Sequence, residues 1–414
     1  MSKSRIRYLA NNDTSREGVS RYRKPDMAPE MRKSSSAIYY VTLGLGQFSD
    51  INNPYQNIYL LFDTGSDLTW TQCEGCRNCF YQNSPYFPRT RSQTYQPYSC
   101  GQCPGGQCYQ DHCTVTNSYV DGTTMNGILA TETFTFSSPF LFDDIIHDLI
   151  FVCTIETSNF HAANVYDNPI TGVLGMGKGD FSLISQLGRY GEYRFSYCLQ
   201  DSNDHVGAYS QMMLSFGTEI GKTSIMSVTQ ILTNPKKPIF YYVDLIDISV
   251  HKRRLNIPHQ YFTIQGDINN SGGTIFDSGS AISYLVSNAF DIFKTAIERY
   301  VGTHNTYLRR ITNPNDYGFE ACWEPIFDSA TVTFPTITFH FGNDANMVVQ
   351  PNQVISSIPT PGVPNPGLYC LFLSRSTNDV NVIGAFQQVN QRVITDVQTM
   401  QLSFAAEDCS QSTW

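Results

Sequence analysis

The sequence predicts an all-β protein built from two related halves. Three observations carry that prediction. Short runs rich in Tyr, Phe, Val, Ile and Thr recur along the chain, bounded by Gly, Asn or Pro. Long helical patterns are scarce. The phrase Phe62-Asp63-Thr64-Gly65-Ser66 returns as Phe276-Asp277-Ser278-Gly279-Ser280, 214 residues later in a chain of 414. β-branched and aromatic side chains suit a pleated, half-buried strand, and Gly, Asn and Pro punctuate it.

Residues 1–35 are polar and charged with little β pattern. Ile38–Gly46 then reads as a strand closed by a glycine turn. Further runs are Ile128–Phe136, Leu149–Cys153, Ile239–Val250, Thr331–Phe341, Tyr369–Leu373 and Val393–Asp396. Two segments are helical instead. Ser182–Leu187 is short and ends at Gly188. Ser287–Val301 places Ala289, Phe290, Phe293, Ala296, Ile297, Tyr300 and Val301 on one stripe, with Ser287 as the expected cap at its start and Gly302 at its end.

The repeat extends past the aspartates. Val173-Leu174-Gly175 places its glycine 112 residues after Asp63, and Val382-Ile383-Gly384 places its glycine 107 residues after Asp277. A duplicated β lobe with one Asp turn per copy accounts for both elements. The expected division is a polar N-terminal segment at 1–35, an N-terminal β lobe at 36–200 and a C-terminal β lobe at 201–414.

A hydrophobic content of 41% and an aromatic content of 13% exclude a disordered chain. Net charge is −9, unevenly spread. Residues 1–33 carry nine Lys/Arg and four acids, leaving 18 basic and 32 acidic residues in the remainder. An acidic body argues against nucleic acid as a partner. No apolar run approaches transmembrane length, and Met1–Arg5 lacks the apolar core of a signal peptide.

There are twelve cysteines, seven of them between Cys73 and Cys113 in a segment with little apolar periodicity. A segment that cannot build its own core needs staples, which points to disulfides. Cys73-x2-Cys76-x2-Cys79 and Cys100-x2-Cys103 also have the spacing of zinc ligands, which is the rival reading. Disulfides imply an oxidising compartment, hence a chain whose signal peptide is missing from this sequence.

Two facing carboxylates cannot both ionise cheaply and therefore share a proton. The ionised partner takes a proton from water while the protonated one donates to a carbonyl oxygen. That is amide hydrolysis without a covalent intermediate, confined to acid. Gly65 and Gly279 allow tight turns and close approach. Ser66 and Ser280 can bond the outer carboxylate oxygens, and Thr64 and Ser278 can lock one turn against the other. A single Asp-Thr-Gly would be an ordinary turn. Two copies with matched flanks point to a site.

The chain resembles the pepsin-type aspartic endopeptidases, in the plant nepenthesin-like branch. The resemblance spans residues 37–409. It is carried by Leu61–Cys73, Gly172–Gly177, Phe195–Leu199, Tyr241–Val243, Gly272–Gly279, Val382–Gln388 and the cysteine-rich insertion. It implies a bilobal acid protease fold with the active-site cleft between two β lobes. Asp63 and Asp277 would be the catalytic dyad. Tyr119 would be the flap tyrosine, with Asp121-Gly122 at its hairpin tip and Trp70 as its hydrogen-bond partner. The implied disulfides are Cys73–Cys76, Cys79–Cys153, Cys100–Cys113, Cys103–Cys108, Cys198–Cys409 and Cys322–Cys370. Residues 1–33 would be the end of a basic pro-segment of a zymogen. The resemblance further implies a secreted (apoplastic) or vacuolar plant protein, polypeptide substrates, pepstatin-type inhibitors, a monomer, and no metal or organic cofactor. Departures are Val120 in place of a usual glycine and Ala385 in place of a usual asparagine.

The alternative function is a proteolytically inactive pepsin-fold inhibitor of glycoside hydrolases. Such proteins damage one Asp motif, and here both motifs are intact. Other leads fail. Gly217–Thr223 is one residue short of a phosphate loop. Neither His-Glu-x-x-His nor Gly-x-Ser-x-Gly occurs. Asn12-Asp13-Thr14 and Asn269-Asn270-Ser271 are glycosylation acceptors by pattern.

Overall fold

The computed structural model describes residues 27–34, 38–104, 107–136, 143–160, 167–201, 212–217, 225–266, 271–326, 332–358 and 367–411. The chain divides into two compact units. One comprises the described residues of 1–62, 67–195 and 213–220; the other comprises those of 63–66, 196–212 and 221–414. Asp63–Ser66 therefore groups with the second unit, where it packs against Asp277–Ser280.

The first unit is built on an eleven-stranded sheet. Its long hairpin joins Thr124–Phe136 to Asp144–Ser158, in register from Thr124↔Ser158 to Phe136↔Asp144 with irregularities at Asn126/Gly127 and Glu132/Phe134. Tyr39–Leu45 pairs antiparallel with Gln56–Asp63, which delivers the first Asp turn. The second unit holds most strands of a ten-stranded sheet, together with two four-stranded sheets. Thr274–Phe276 runs parallel to Asn381–Ile383, with Phe276 opposite Ile383, and delivers the second Asp turn. Each aspartate is preceded by a buried phenylalanine, Phe62 and Phe276, so apolar burial fixes where each turn begins.

The short helix is Leu183–Leu187, as expected. Ser182 caps it by accepting the Ser185 N–H, and Gly188 follows with φ 54°. The long helix is Ser287–His304, with Ala289, Phe290, Phe293, Ile297 and Val301 buried. Its expected ends are corrected. Val286 is the N-cap with no side-chain cap bond, and the helix runs through Gly302 to a C-cap at Asn305. Val286 N–H bonds Asn381 Oδ1 instead, so tertiary contacts replace the local cap. The expected strand Thr331–Phe341 begins on a residue outside those described; among the described residues it is Ile337–Phe341, because Pro335 cannot donate to a ladder.

The reading of 1–35 as having little β pattern is also corrected, at its described residues 27–34. Glu30–Lys33 pairs antiparallel with Tyr39–Leu45, and Met27, Ala28 and Met31 are buried. Charge counting hid these apolar residues. Residues 1–26 and both glycosylation patterns' asparagines lie outside the described residues.

All twelve cysteines form disulfides. Cys198–Cys409 and Cys322–Cys370 pair as expected. The other four pairings differ from expectation. Cys73 bonds Cys153, Cys76 bonds Cys79, Cys100 bonds Cys108 and Cys103 bonds Cys113. Sheet register explains the first. Trp70–Gln72 runs parallel to the strand holding Cys153, with Thr71 opposite Cys153, which brings the Cys73 and Cys153 Cα atoms to 5.5 Å and within bridging reach. Cys76 and Cys79 are then left to each other. Non-reducing peptide mapping is expected to recover Cys73 linked to Cys153; a Cys73–Cys76 peptide would contradict the register.

Candidate active site

The two Asp turns meet within the second unit as near copies of each other. Gly65 N–H donates to Asp63 Oδ1 at 2.8 Å, and Gly279 N–H donates to Asp277 Oδ1 at 2.9 Å. Ser66 Oγ donates to Asp63 Oδ2, and Ser280 Oγ donates to Asp277 Oδ2 at 2.8 Å. The turns are locked to each other by reciprocal bonds. Thr64 N–H donates to Ser278 Oγ at 3.1 Å, and Ser278 N–H donates to Thr64 Oγ1 at 2.9 Å. Thr64 Oγ1 in turn donates to the Phe276 carbonyl at 3.3 Å.

This lock presses each carboxyl against the other copy's glycine. A Cβ on Gly65 would lie 2.7 Å from Asp277 Oδ1, and one on Gly279 would collide with Asp63 Oδ1. Neither glycine has positive φ, so closeness of approach requires them. The two carboxyls, each against the other copy's glycine, are almost wholly buried. Burial raises both pKa values above the usual carboxylate range, and the charge of Asp277 raises Asp63 further. Bonds from the serine hydroxyls and glycine N–H groups oppose the rise by favouring the ionised forms. A pair in this setting holds one proton between its members over a wide pH range.

The duplicated glycines explain themselves sterically. A Cβ on Gly175 would collide with the Asp67 backbone, and one on Gly384 with the Ile282 backbone. Each closes on the chain just past its Asp turn. In both copies its N–H reaches a hydroxyl six residues beyond the aspartate: Gly175 to Thr69 Oγ1 at 3.2 Å and Gly384 to Ser283 Oγ at 2.9 Å.

In the first unit, Tyr119 sits at the end of the hairpin formed by His112–Ser118 and Thr124–Phe136. Trp70 Nε1 donates to Tyr119 Oη at 2.7 Å. Trp70 is itself fully buried, with Phe160 edge-on at 5.7 Å and Phe80 at 6.3 Å between ring centres. Asp121 holds the tip by accepting Thr123 N–H at 2.8 Å, and Gly122 takes φ 86°. Val120 points out at the tip, 85% exposed.

Comparison with known proteins agrees with this construction. Family models described as "Xylanase inhibitor N-terminal" and "Xylanase inhibitor C-terminal" match residues 39–217 and 240–406. Nepenthesin-1 of Nepenthes gracilis, an aspartic proteinase, is 30% identical over 368 residues, covering 87% of this chain and 77% of that protein. The chain belongs to the pepsin-like aspartic protease family, in its plant nepenthesin-like branch. Nepenthesin-2 of the same plant is likewise 30% identical over 369 residues, again covering 87% and 77%. The crystal structure of edgp shares the fold, with a TM-score of 0.70 at 18% identity over 93% of this chain and 96% of that one.

Within this family frame, several residues near the turns were given no role from sequence. Asp67 follows the first turn, and its Oδ1 accepts Gly179 N–H at 2.9 Å. A Cβ on Gly179 would collide with the same carboxyl. Burial pushes the Asp67 pKa up to about 6, against the Gly179 N–H and the nearby Lys178, which pull it down; Asp180 adds to the rise. Burial also lowers Lys178 to about 8. No pattern in the sequence distinguishes Asp67 from a surface acid.

A carboxyl with a raised folded pKa binds its proton more tightly when folded, so its stabilisation is present in acid and lost as pH rises. For Asp67 that loss runs from the ordinary carboxylate value of 3.8 to about 6 and amounts to at most about 3 kcal/mol. Asp67→Asn is expected to flatten this part of the stability curve, retaining an acceptor for Gly179. Thermal midpoints between pH 4 and pH 7 test it; parallel curves for the two proteins would contradict the assignment.

Proposed function

We propose that the chain is an acid endopeptidase in which Asp63 and Asp277 bind and activate a water. The reciprocal arrangement of the two Asp turns carries this reading. Each carboxyl is oriented by its own glycine N–H and serine hydroxyl, and the two lie against each other's turn. The neutral carboxyl donates to the scissile carbonyl oxygen while the ionised one takes a proton from the attacking water. The proton so gained then passes to the leaving amine, and no covalent intermediate forms. Thr64, Gly65, Ser66, Ser278, Gly279 and Ser280 support the pair. We assign Tyr119, Asp121, Gly122 and Trp70 to substrate handling.

Polypeptides are the proposed substrates, and pepstatin-type compounds the proposed inhibitors. Six disulfides support an extracellular or vacuolar site of action. A binding-only reading, as an inhibitor of glycoside hydrolases, draws on the description of the matching family models. Intact Asp turns weigh against it. The test is incubation of the acidified protein with a denatured protein at about pH 3–4, where a paired dyad shares one proton. Cleavage blocked by pepstatin supports the endopeptidase. No cleavage, together with tight binding of a glycoside hydrolase, supports the inhibitor.

A further inference from the structure

The duplicated glycines are followed by different chemistry in the two halves. Lys178 and Gly179 lie three and four residues past Gly175, and Gly179 meets the titratable carboxyl of Asp67. The corresponding residues past Gly384 are Gln387 and Gln388, both fully buried. A buried primary amide is costly unless its donors and acceptor are used.

Both amides are used, on the chain that carries Asp277. Gln387 Oε1 accepts Ser283 N–H at 2.9 Å and Ser283 Oγ–H at 2.7 Å. Its Nε2 donates to the Gln353 and Phe372 carbonyls at 2.7 and 3.1 Å. Gln388 Oε1 accepts Tyr197 Oη–H at 2.7 Å, and Gln388 Nε2 donates to the Ile383 carbonyl at 2.8 Å. That same carbonyl accepts the backbone N–H of Asp277 at 3.0 Å. Turning the Gln388 amide over would set its oxygen against the Ile383 carbonyl, so the neighbours fix its orientation. Tyr197 is 1% exposed and is held neutral by burial and by the charge of Asp277.

We propose that Gln388, braced by Tyr197, is a positioning residue for Asp277, acting through the Ile383 carbonyl that fixes the Asp277 backbone. A neutral amide suits the task because it does not titrate where the aspartate pair does. The inference rests on the reading of Asp63 and Asp277 as the working pair. It goes beyond that reading by assigning the second aspartate a pH-independent anchor at Gln388, where the matching position after Gly175 is Gly179.

A pair of variants tests it. Protonated glutamate has the donor and acceptor of glutamine, and a buried glutamate remains protonated in acid. Gln388→Glu is therefore expected to match the wild type near pH 3–4 and to lose activity at lower pH than the wild type does as pH rises. Gln388→Leu cannot bond either partner. Its kcat is expected to fall about tenfold with KM little changed, a loss felt at the reacting groups rather than in ground-state binding. Its basic limb should move toward acid, since a loosened Asp277 is better hydrated. Equal losses for both variants at every pH, or wild-type profiles for both, would overturn the proposal.

A second readout does not depend on proteolysis. The pH dependence of the thermal midpoint is measured for Gln388→Leu alone and combined with Asp277→Asn. The shift caused by Gln388→Leu should vanish in the Asp277→Asn background if it acts through Asp277. An identical shift in both backgrounds would mean a purely structural role and would sink the inference. If the wild type cleaves nothing yet the cycle shows this coupling, the positioning role stands and the endopeptidase reading falls.

Discussion

Asp63→Asn is expected to abolish acid proteolysis while leaving the fold intact. The amide keeps the size of the carboxyl and can still accept the Gly65 N–H, which now bonds Asp63 Oδ1 at 2.8 Å. It cannot share a proton with Asp277 or exchange one with water. Removing one member of a proton-transferring unit costs on the order of 10³-fold or more in kcat, and such losses do not add between members. Asp277→Asn should therefore lose about as much, and the double variant little more. Peptide hydrolysis by purified variants with matched far-ultraviolet circular dichroism checks this. Near-normal turnover by either variant would remove the dyad from the mechanism.

Gly65→Ala is the second large effect, and it tests geometry rather than chemistry. The added methyl would lie 2.7 Å from Asp277 Oδ1 and 2.9 Å from its Cγ and Oδ2. These are distances at which the carboxyl must move. Because Gly65 does not need positive φ, the backbone itself can accept alanine, and the strain falls on the aspartate. Displacing a reacting group by about 1 Å can cost around 100-fold. A loss of that order in kcat is expected, with a stability cost of about 1–3 kcal/mol from overpacking. Gly279→Ala should behave alike through Asp63. Unchanged kcat in both variants would mean that the carboxyls are not packed against the opposing turns.

The sequence displayed the centre of the site because that centre is written twice. Phe-Asp-hydroxyl-Gly-Ser and apolar-apolar-Gly each recur, and recurrence separates a device from a common turn. The roles expected for Thr64, Ser66, Ser278 and Ser280 follow from the same repetition, and their bonds are those the residue types predict. What occurs once was far less legible. Asp67, Tyr197, Gln387 and Gln388 have no counterpart of the same type in the other half. Their partners lie up to 191 residues away, as for Tyr197 and Gln388. Cysteine pairing failed for a related reason. Which sulfurs meet is set by the parallel register of Trp70–Gln72 on the strand holding Cys153, and that register is a property of the sheet. Local signals fared better where local physics decides. Ser182 caps its helix as its side chain dictates, whereas the start of Ser287–His304 is tied to Asn381 instead.

One property follows from two carboxyls sharing one proton, and a pH profile measures it directly. The rate kcat/KM for a peptide substrate is expected to be bell-shaped and centred in acid. Its basic limb should reflect loss of the shared proton, whose affinity burial has raised, and its acid limb the arrival of a second. A profile that rises steadily to neutral pH, or one that keeps its bell in Asp277→Asn, would contradict the account.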